Sequence, residues 1–294
     1  MEFKLQKNDN KQQSVRNFLT AKKISGRMQT KIRQGKADLY LGDKKLSLTS
    51  KLTKPTTLTL IINEIQENQA IVACNQAITV VYEDENYLVV DKPAGIASVP
   101  GPSDSQTTLA NRVKGYLLRQ GNLDPAVHVL TRLDYNTSGL VLIAKNNFAQ
   151  GLMTAYNDQI IKRYYAIISG QITPEEGFLT FPLKKDANSF RQIVASDGKK
   201  AKTQYWLKAS YPEGQLVQVQ LHTGRTHQIR AHFAHVKHPL VGDDLYGGPL
   251  STQFKRQLLH AAELHFVEPF SGEKVALTSP LPTCFDEYVE MAKK

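Results

Sequence analysis

Residues 131–145 read TRLDYNTSGLVLIAK, and the two halves of that stretch follow different rules. From Leu140 to Ala144 the chain is aliphatic with no polar alternation, the pattern of a strand covered on both faces and too short for a buried helix. Before it, Asn136, Thr137, Ser138 and Gly139 are all turn formers. The stretch therefore predicts a tight loop feeding a buried strand, with the carboxylate of Asp134 at the strand's mouth. A carboxylate held between Leu133 and Tyr135 needs a cation or hydrogen-bond donors to stay ionised. A second reading makes Asp134 a structural residue that caps the turn through its own backbone.

Working outward, the same two signals recur. ITVVYEDENYLVVDKPAG (78–95) predicts a hairpin of two aliphatic strands closed by a Lys-Pro-Ala-Gly turn. Leu109, Val113, Tyr116 and Leu117 share one helical face behind capping threonines. FAQGLMTAYND reads as a helix, and IKRYYAIISGQI, KTQYWLKAS, QLVQVQLHT, HAAELHFVEP and KVALTSP read as strands. RTHQIRAHFAHVKH predicts a helix with Ile229, Phe233 and Val236 on its apolar side, and a polar helix is expected from about Pro282. Strands and helices without regular βαβ alternation predict an α+β domain with a mixed, largely antiparallel sheet.

Composition sets the frame. A chain of 294 residues, 41% hydrophobic, can bury a real core in one large domain with a smaller companion. No apolar run approaches a membrane span, and the opening MEFKLQKNDNKQQ has no apolar signal region, so a cytoplasmic protein without a membrane partner is expected. Cys74 and Cys284 show no metal-type spacing and are read as reduced thiols. The charge is uneven. Residues 1–77 carry 14 Lys and Arg against 6 Asp and Glu, while residues 78–294 carry 23 against 21. A basic module beside a near-neutral body points to a polyanion-binding unit, with a merely solubilising face as the bland alternative.

That module has folding signals of its own. Residues 1–13 are polar and read as a disordered tail. Val15, Phe18 and Leu19 then share a helical face, and Ser25 is a plausible N-cap for a second helix carrying Met28 and Ile32. Lys22, Lys23, Arg27, Lys31, Arg33 and Lys36 lie along this helix pair and are the candidate polyanion contacts. ADLYLGDKKLSLTSKL and TTLTLIINEI read as short strands. The unit at 14–68 resembles the αL-type RNA-binding domain shared with a small-subunit ribosomal protein (S-four-like), although LYLGDKKLSL lacks that family's usual Val-Asn-Gly-Lys turn. The resemblance of this unit implies RNA as the polyanion that these cations contact.

The second chemistry-bearing stretch is LHTGRTHQIRAH (221–232). Arg225 follows a Thr-Gly turn where a helix is expected to begin, and a cation there opposes the helix dipole by roughly 0.3–1 kcal/mol. It calls for an anion, or else is an exposed arginine meeting phosphate or water. Five of the eight histidines lie between 222 and 238, with His232, His235 and His238 spaced by three. No HExxH is present and Pro239 ends the helix, so no metal site is expected. Neither GxxxxGK[ST] nor GxGxxG occurs, which sets a nucleotide-binding enzyme aside.

DKPAG (91–95), TRLDYNTSGLVLIAK (131–145), KRYYAIISG (162–170), LHTGRTHQIRAHFAHVKHPLVGDDLYG (221–247) and LLHAAELHF (258–266) together closely resemble the RluA-type family of pseudouridine synthases, in the family's order. The matches cover most of 78–294. One departure is Thr131, where members often carry histidine. The resemblance implies the pseudouridine synthase fold at 78–294 and isomerisation of uridine in structured RNA, large-subunit ribosomal RNA above all, without metal or organic cofactor. It implies Asp134 as the catalytic carboxylate, Arg225 as its ion-pair partner, and Tyr164 as the residue that stacks on the base and handles a proton. Arg132 would support base flipping, with Leu133 and Thr137 beside it as substrate-binding residues. RNA, not DNA, is the expected partner of a monomer. Transfer RNA as substrate and a non-catalytic ribosome-assembly factor are the alternatives.

Overall fold

In the computed structural model, residues 1–62, 71–102, 104–123, 125–251 and 253–293 are described. The chain begins with β1 (Glu2–Lys7), α1 (Val15–Ala21), α2 (Gly26–Arg33), β2 (Ala37–Leu41) and β3 (Thr56–Ile62). It continues through β4 (Thr79–Glu83), β5 (Tyr87–Lys92), α3 (Leu109–Arg119), β6 (Ser138–Ala144), α4 (Asn147–Ala155) and β7 (Ile161–Ser169). Then come β8 (Glu176–Leu179), β9 (Thr203–Tyr211), β10 (Gly214–Leu221), α5 (Gln228–His235), β11 (Leu259–Val267), β12 (Lys274–Thr278) and α6 (Thr283–Ala292).

One ten-stranded sheet carries the body, in the order β8-β9-β10-β7-β11-β6-β5-β4, with β12 paired to β11 and a two-residue strand, His128–Val129, paired to β6. Every neighbour along that path is antiparallel except β6 and β11. The central strands explain their own composition. Tyr87 and Val89 of β5 and Leu140 and Leu142 of β6 face one hydrophobic layer; Leu88, Val90, Val141 and Ile143 face the other. Both faces are covered, so an alternating polar pattern would bury unpaired polar groups. The second layer is closed by Leu109, Val113 and Leu117 of α3 and by Ile229 and Phe233 of α5. The expected start of α3 at its threonine is seen, with Asn111 accepting from the Thr108 backbone N–H at 3.1 Å, and α4 starts at Asn146, which accepts from the Ala149 N–H at 2.7 Å.

Gly139 is required where β6 meets β11. Its φ is +114°, and a Cβ there would lie 2.3 Å from the carbonyl oxygen of Ala261. The one parallel pairing of the sheet thus depends on a residue without a side chain.

The structure corrects two expectations about the N-terminal unit. Residues 2–7 are not a tail. EFKLQK alternates, Phe3 and Leu5 are buried, and β1 pairs antiparallel with β3, Leu5 opposite Leu58. Two alternating apolar residues suffice because a partner strand already presents a matching face. Nor is the unit a separate appendage, because its core is continuous with one face of the main sheet. Phe3 packs on Phe148 and Phe270 with ring centroids 4.8 and 5.7 Å apart.

Two of the six expected RNA-contacting cations close this seam. The Lys22 ammonium donates to the carbonyls of Pro269 and Phe270, both at 3.2 Å. Lys23 donates to the Ala155 carbonyl at 2.8 Å and pairs with Asp158 at 3.1 Å. Arg27, Arg33 and Lys36 are exposed. The NEI end of the expected strand TTLTLIINEI and the end of the 14–68 unit fall outside the described residues.

The histidines spaced by three serve packing. His232 contacts the Thr203 hydroxyl and the Phe181 carbonyl, both at 2.9 Å; His235 lies edge-on to Phe181; and His238 meets the Ser169 carbonyl.

Candidate active site around Asp134

The loop that carries Asp134 is held from several directions. Ser98 accepts from the Leu133 N–H at 3.0 Å and donates to the Leu133 carbonyl at 2.7 Å. The Thr137 N–H closes the turn on the Asp134 carbonyl at 3.1 Å, and Gln257 donates to the Thr137 hydroxyl at 3.2 Å. Arg256 donates to the Asn136 carbonyl at 3.2 Å. Beneath the loop, the fully buried Lys92 donates to the carbonyls of Pro93 and Ile96, each at 2.9 Å, and of Tyr135 at 3.2 Å. Burial pushes the Lys92 ammonium down to about 7, opposed by the charge of Asp134. A carboxylate on such a loop is preorganised.

The cation beside Asp134 is not the expected one. Arg230, in the first turn of α5, donates from Nη1 to Asp134 Oδ2 at 3.1 Å. Its other edge is gripped by Asp243, with Nε to Oδ2 at 2.7 Å and Nη2 to Oδ1 at 2.8 Å. Burial works against the guanidinium's charge, but Asp243 and Asp134 outweigh it and hold Arg230 above the usual arginine range. This bidentate clamp leaves one face of the guanidinium for Asp134.

Arg225 does not start the helix. It sits in the preceding turn, where its Nε donates to the Lys200 carbonyl at 3.0 Å and its backbone N–H to Gln228 Oε1 at 3.0 Å. The physical reason is Gln228. This buried amide also accepts from Thr223 and donates to the Lys202 carbonyl and the Thr203 hydroxyl, so it fixes the turn and delays the helix. His227 takes a left-handed conformation there, φ 52°. Its Nε2 lies 4.0 Å from Asp134 Oδ2 and its Nδ1 lies 3.2 Å from the Tyr246 hydroxyl. Burial lowers the His227 pKa, Asp134 opposes the shift and Arg230 adds to it, which favours the uncharged ring.

Strand alternation separates the two tyrosines of β7. Tyr164 is buried and faces Asp134, whereas Tyr165 lies within 3.5 Å of Gln218 on the other face. Burial, with Asp134 adding to it, pushes the Tyr164 hydroxyl above the ordinary phenol range. It stays protonated at neutral pH and is unsuited to be a base.

Arg132, Leu133, Asp134, Thr137, Tyr164 and Arg225 all line one cleft. Its inner end, against Arg230 and His227, has a volume of about 50 Å³. The outer part, which shares Asp134, Tyr164, Arg132 and Arg225, holds about 600 Å³ and is the space that can admit a ring. A larger cavity of about 790 Å³ lies between α2 and α4, but among the described residues no carboxylate lines it and it shares no lining residue with this cleft. Sequence reading missed Arg230, Asp243, Lys92 and His227. Arg230 and His227 stood in the quoted GRTHQIR, Lys92 in DKPAG and Asp243 in the PLVGDDLYG end of the stretch 221–247; nothing in the spacing said which arginine would face inward.

With fold and cleft in view, comparison with known proteins is specific. Residues 86–235 match the family model for RNA pseudouridylate synthase. An uncharacterized RNA pseudouridine synthase of Bacillus subtilis, YjbO, is 33% identical over 262 residues, covering 88% of this chain and 92% of its own. Ribosomal large subunit pseudouridine synthase D of Xanthomonas campestris is 37% identical over 226 residues, covering 70% of this chain and 66% of its own. Human RNA pseudouridylate synthase domain containing 4 shares the fold, with a TM-score of 0.57 at 23% identity over 73% of this chain and 93% of the human one. The family match and these relatives define the class, an RNA-modifying isomerase. The chain belongs to the RNA pseudouridylate synthase family.

Proposed function

We propose that this pseudouridine synthase isomerises specific uridines in structured RNA, large-subunit ribosomal RNA first among them, with Asp134 as the reacting carboxylate. The observation that carries the reading is the placement of Asp134: on a rigid loop, in a cleft, beside one guanidinium that is itself clamped by Asp243. The relatives named for ribosomal large-subunit pseudouridine synthesis support the choice of RNA.

Isomerisation breaks the N1–C1′ bond, turns the base, joins C5 to C1′, and trades the proton on C5 for one on N1. It is redox-neutral and asks for no cofactor. An ionised carboxylate serves it as nucleophile at C1′ or at C6 of the base. Arg230 would stabilise the ionised form that attacks, and Tyr164 would pack against the ring as a protonated phenol. The target must leave its stack first, at a cost of a few kcal/mol. Arg132, exposed where it lines the cleft, would fill the vacated gap or hold the adjacent backbone, and Leu133 and Thr137 would shape the wall. Arg225 acts on RNA rather than on Asp134 in this reading. The N-terminal helices would dock flanking RNA as an αL-type unit through Arg27, Lys31, Arg33 and Lys36. The reading has the protein act in the cytoplasm, as a monomer on RNA and not DNA.

RNA labelled with tritium at uridine C5 must release the label on isomerisation. Incubated with RNA from cells lacking this gene, the intact protein is expected to release it and Asp134→Ala to release none. Equal RNA binding by both proteins with no release by either would overturn the assignment in favour of an assembly factor.

A further inference from the structure

The outer cleft has more positive charge than the protein itself neutralises. Arg132, Lys162 and Arg225 line it, and among the described residues its only carboxylate is Asp134, which already holds Arg230. Of the three cations, Lys162 is in the least hospitable position. It stands two residues before Tyr164 on β7 and so projects from the same strand face, beside the ring that faces Asp134. Across the cleft it reaches the turn before α5, where a Cβ on Gly224 would lie 3.9 Å from its Nζ. Arg163, between them, points the other way, to Gln220 and Glu263.

Burial depresses the Lys162 pKa, and no neighbouring carboxylate offsets the shift. A half-buried ammonium in a cleft without an anion costs the fold free energy unless a ligand supplies the missing charge. Lys22, by contrast, is similarly buried yet satisfied by two carbonyls, so the fold does provide partners where a lysine is only structural.

We propose that Lys162 receives a phosphodiester flanking the flipped uridine and so seats the target nucleotide's backbone against Tyr164 and Asp134. This rests on the reaction proposed above. The ligand is one phosphate of the substrate RNA, held at depth in the cleft rather than on the outer surface.

The test pairs binding with turnover. Lys162→Met keeps the aliphatic length and removes the charge; Lys162→Arg keeps the charge. Two probes are used: the tiled fragment of large-subunit ribosomal RNA that the intact protein binds most tightly, and an RNA duplex without uridine, which offers no target to flip into the cleft. Affinities are compared between about 50 and 200 mM salt, where each lost phosphate contact lowers the log–log slope by about 0.7–0.9. The expected result is a slope reduced by one contact in Lys162→Met on the fragment, unchanged on the duplex, and restored in Lys162→Arg. In tritium release, KM should rise about tenfold while kcat at saturating RNA falls less than about threefold, the size of one charge-assisted contact. An unchanged slope on the fragment, or an equal loss on the duplex, overturns the proposal. If the intact protein releases no tritium at all, the reaction assignment fails, but the slope comparison still decides whether Lys162 meets a phosphate.

Discussion

Two basic regions of this molecule use the same side chains to opposite ends. At the seam between the N-terminal unit and the body, Lys22 and Lys23 are satisfied by carbonyls and by Asp158, and their charge is spent inside the fold. In the cleft, Arg132, Lys162 and Arg225 share a lining with one carboxylate that is already engaged by Arg230. A lysine in a sequence states a charge but not whether the fold has answered it. The cations left over in a cavity are the ones that point to a polyanion.

The contrast can be broken at several points. The largest effect is expected from Asp134→Ala, which should lower single-turnover tritium release by about 10⁴-fold or more while RNA affinity at fixed salt stays within about threefold. Loss of affinity in step with activity would mean that Asp134 holds RNA or the loop instead of reacting. Gly139→Ala should destabilise the body by about 3 kcal/mol or more, read from urea unfolding, because the new Cβ meets the Ala261 backbone in a left-handed conformation. Unfolding within about 1 kcal/mol of the parent would show that β6 and β11 can separate freely.

Lys92 gives a pH test. Its folded value is pushed down to about 7, so from there up to the unfolded value near ~10.4 the unfolded chain holds a proton that the folded chain has released. Stability therefore rises with pH across that window, by at most about 1.4 kcal/mol per pH unit, and is unaffected by this group below it. Lys92→Met should flatten the slope of unfolding free energy between about pH 7 and 10. The smallest effect is expected at the seam. Lys22→Ala with Lys23→Ala should cost about 1–2 kcal/mol in unfolding and change RNA affinity less than about twofold. A steeper loss of RNA affinity would return both lysines to the RNA surface. Deleting residues 1–70 is a poorer probe of RNA docking, since it would strip Phe3 and its neighbours from the core they share with Phe148 and Phe270.

The sequence exposed most of the body because its signals are local. Unbroken aliphatic runs marked β5 and β6 as strands covered on both faces, and the i, i+4 spacing behind Thr108 marked α3. β1 stayed hidden because its two apolar residues gain meaning only opposite β3, more than fifty residues away. Within the site, Asp134, Tyr164 and the loop were legible as motifs, but the identity of the paired arginine was not. Arg225 and Arg230 stand five residues apart in one stretch, and which of them turns inward is decided by Gln228 holding the turn and by Asp243 waiting beyond the helix. Both determinants are tertiary.

That choice between arginines is the claim to measure. Arg230→Met and Arg225→Met should be compared in single-turnover tritium release at saturating RNA. Arg230→Met is expected to lose about 10³-fold or more in rate, with Arg225→Met staying within about tenfold of the parent and showing its defect in affinity. The reverse order, with Arg225→Met inactive and Arg230→Met competent, would contradict the ion pair on which this account of Asp134 stands.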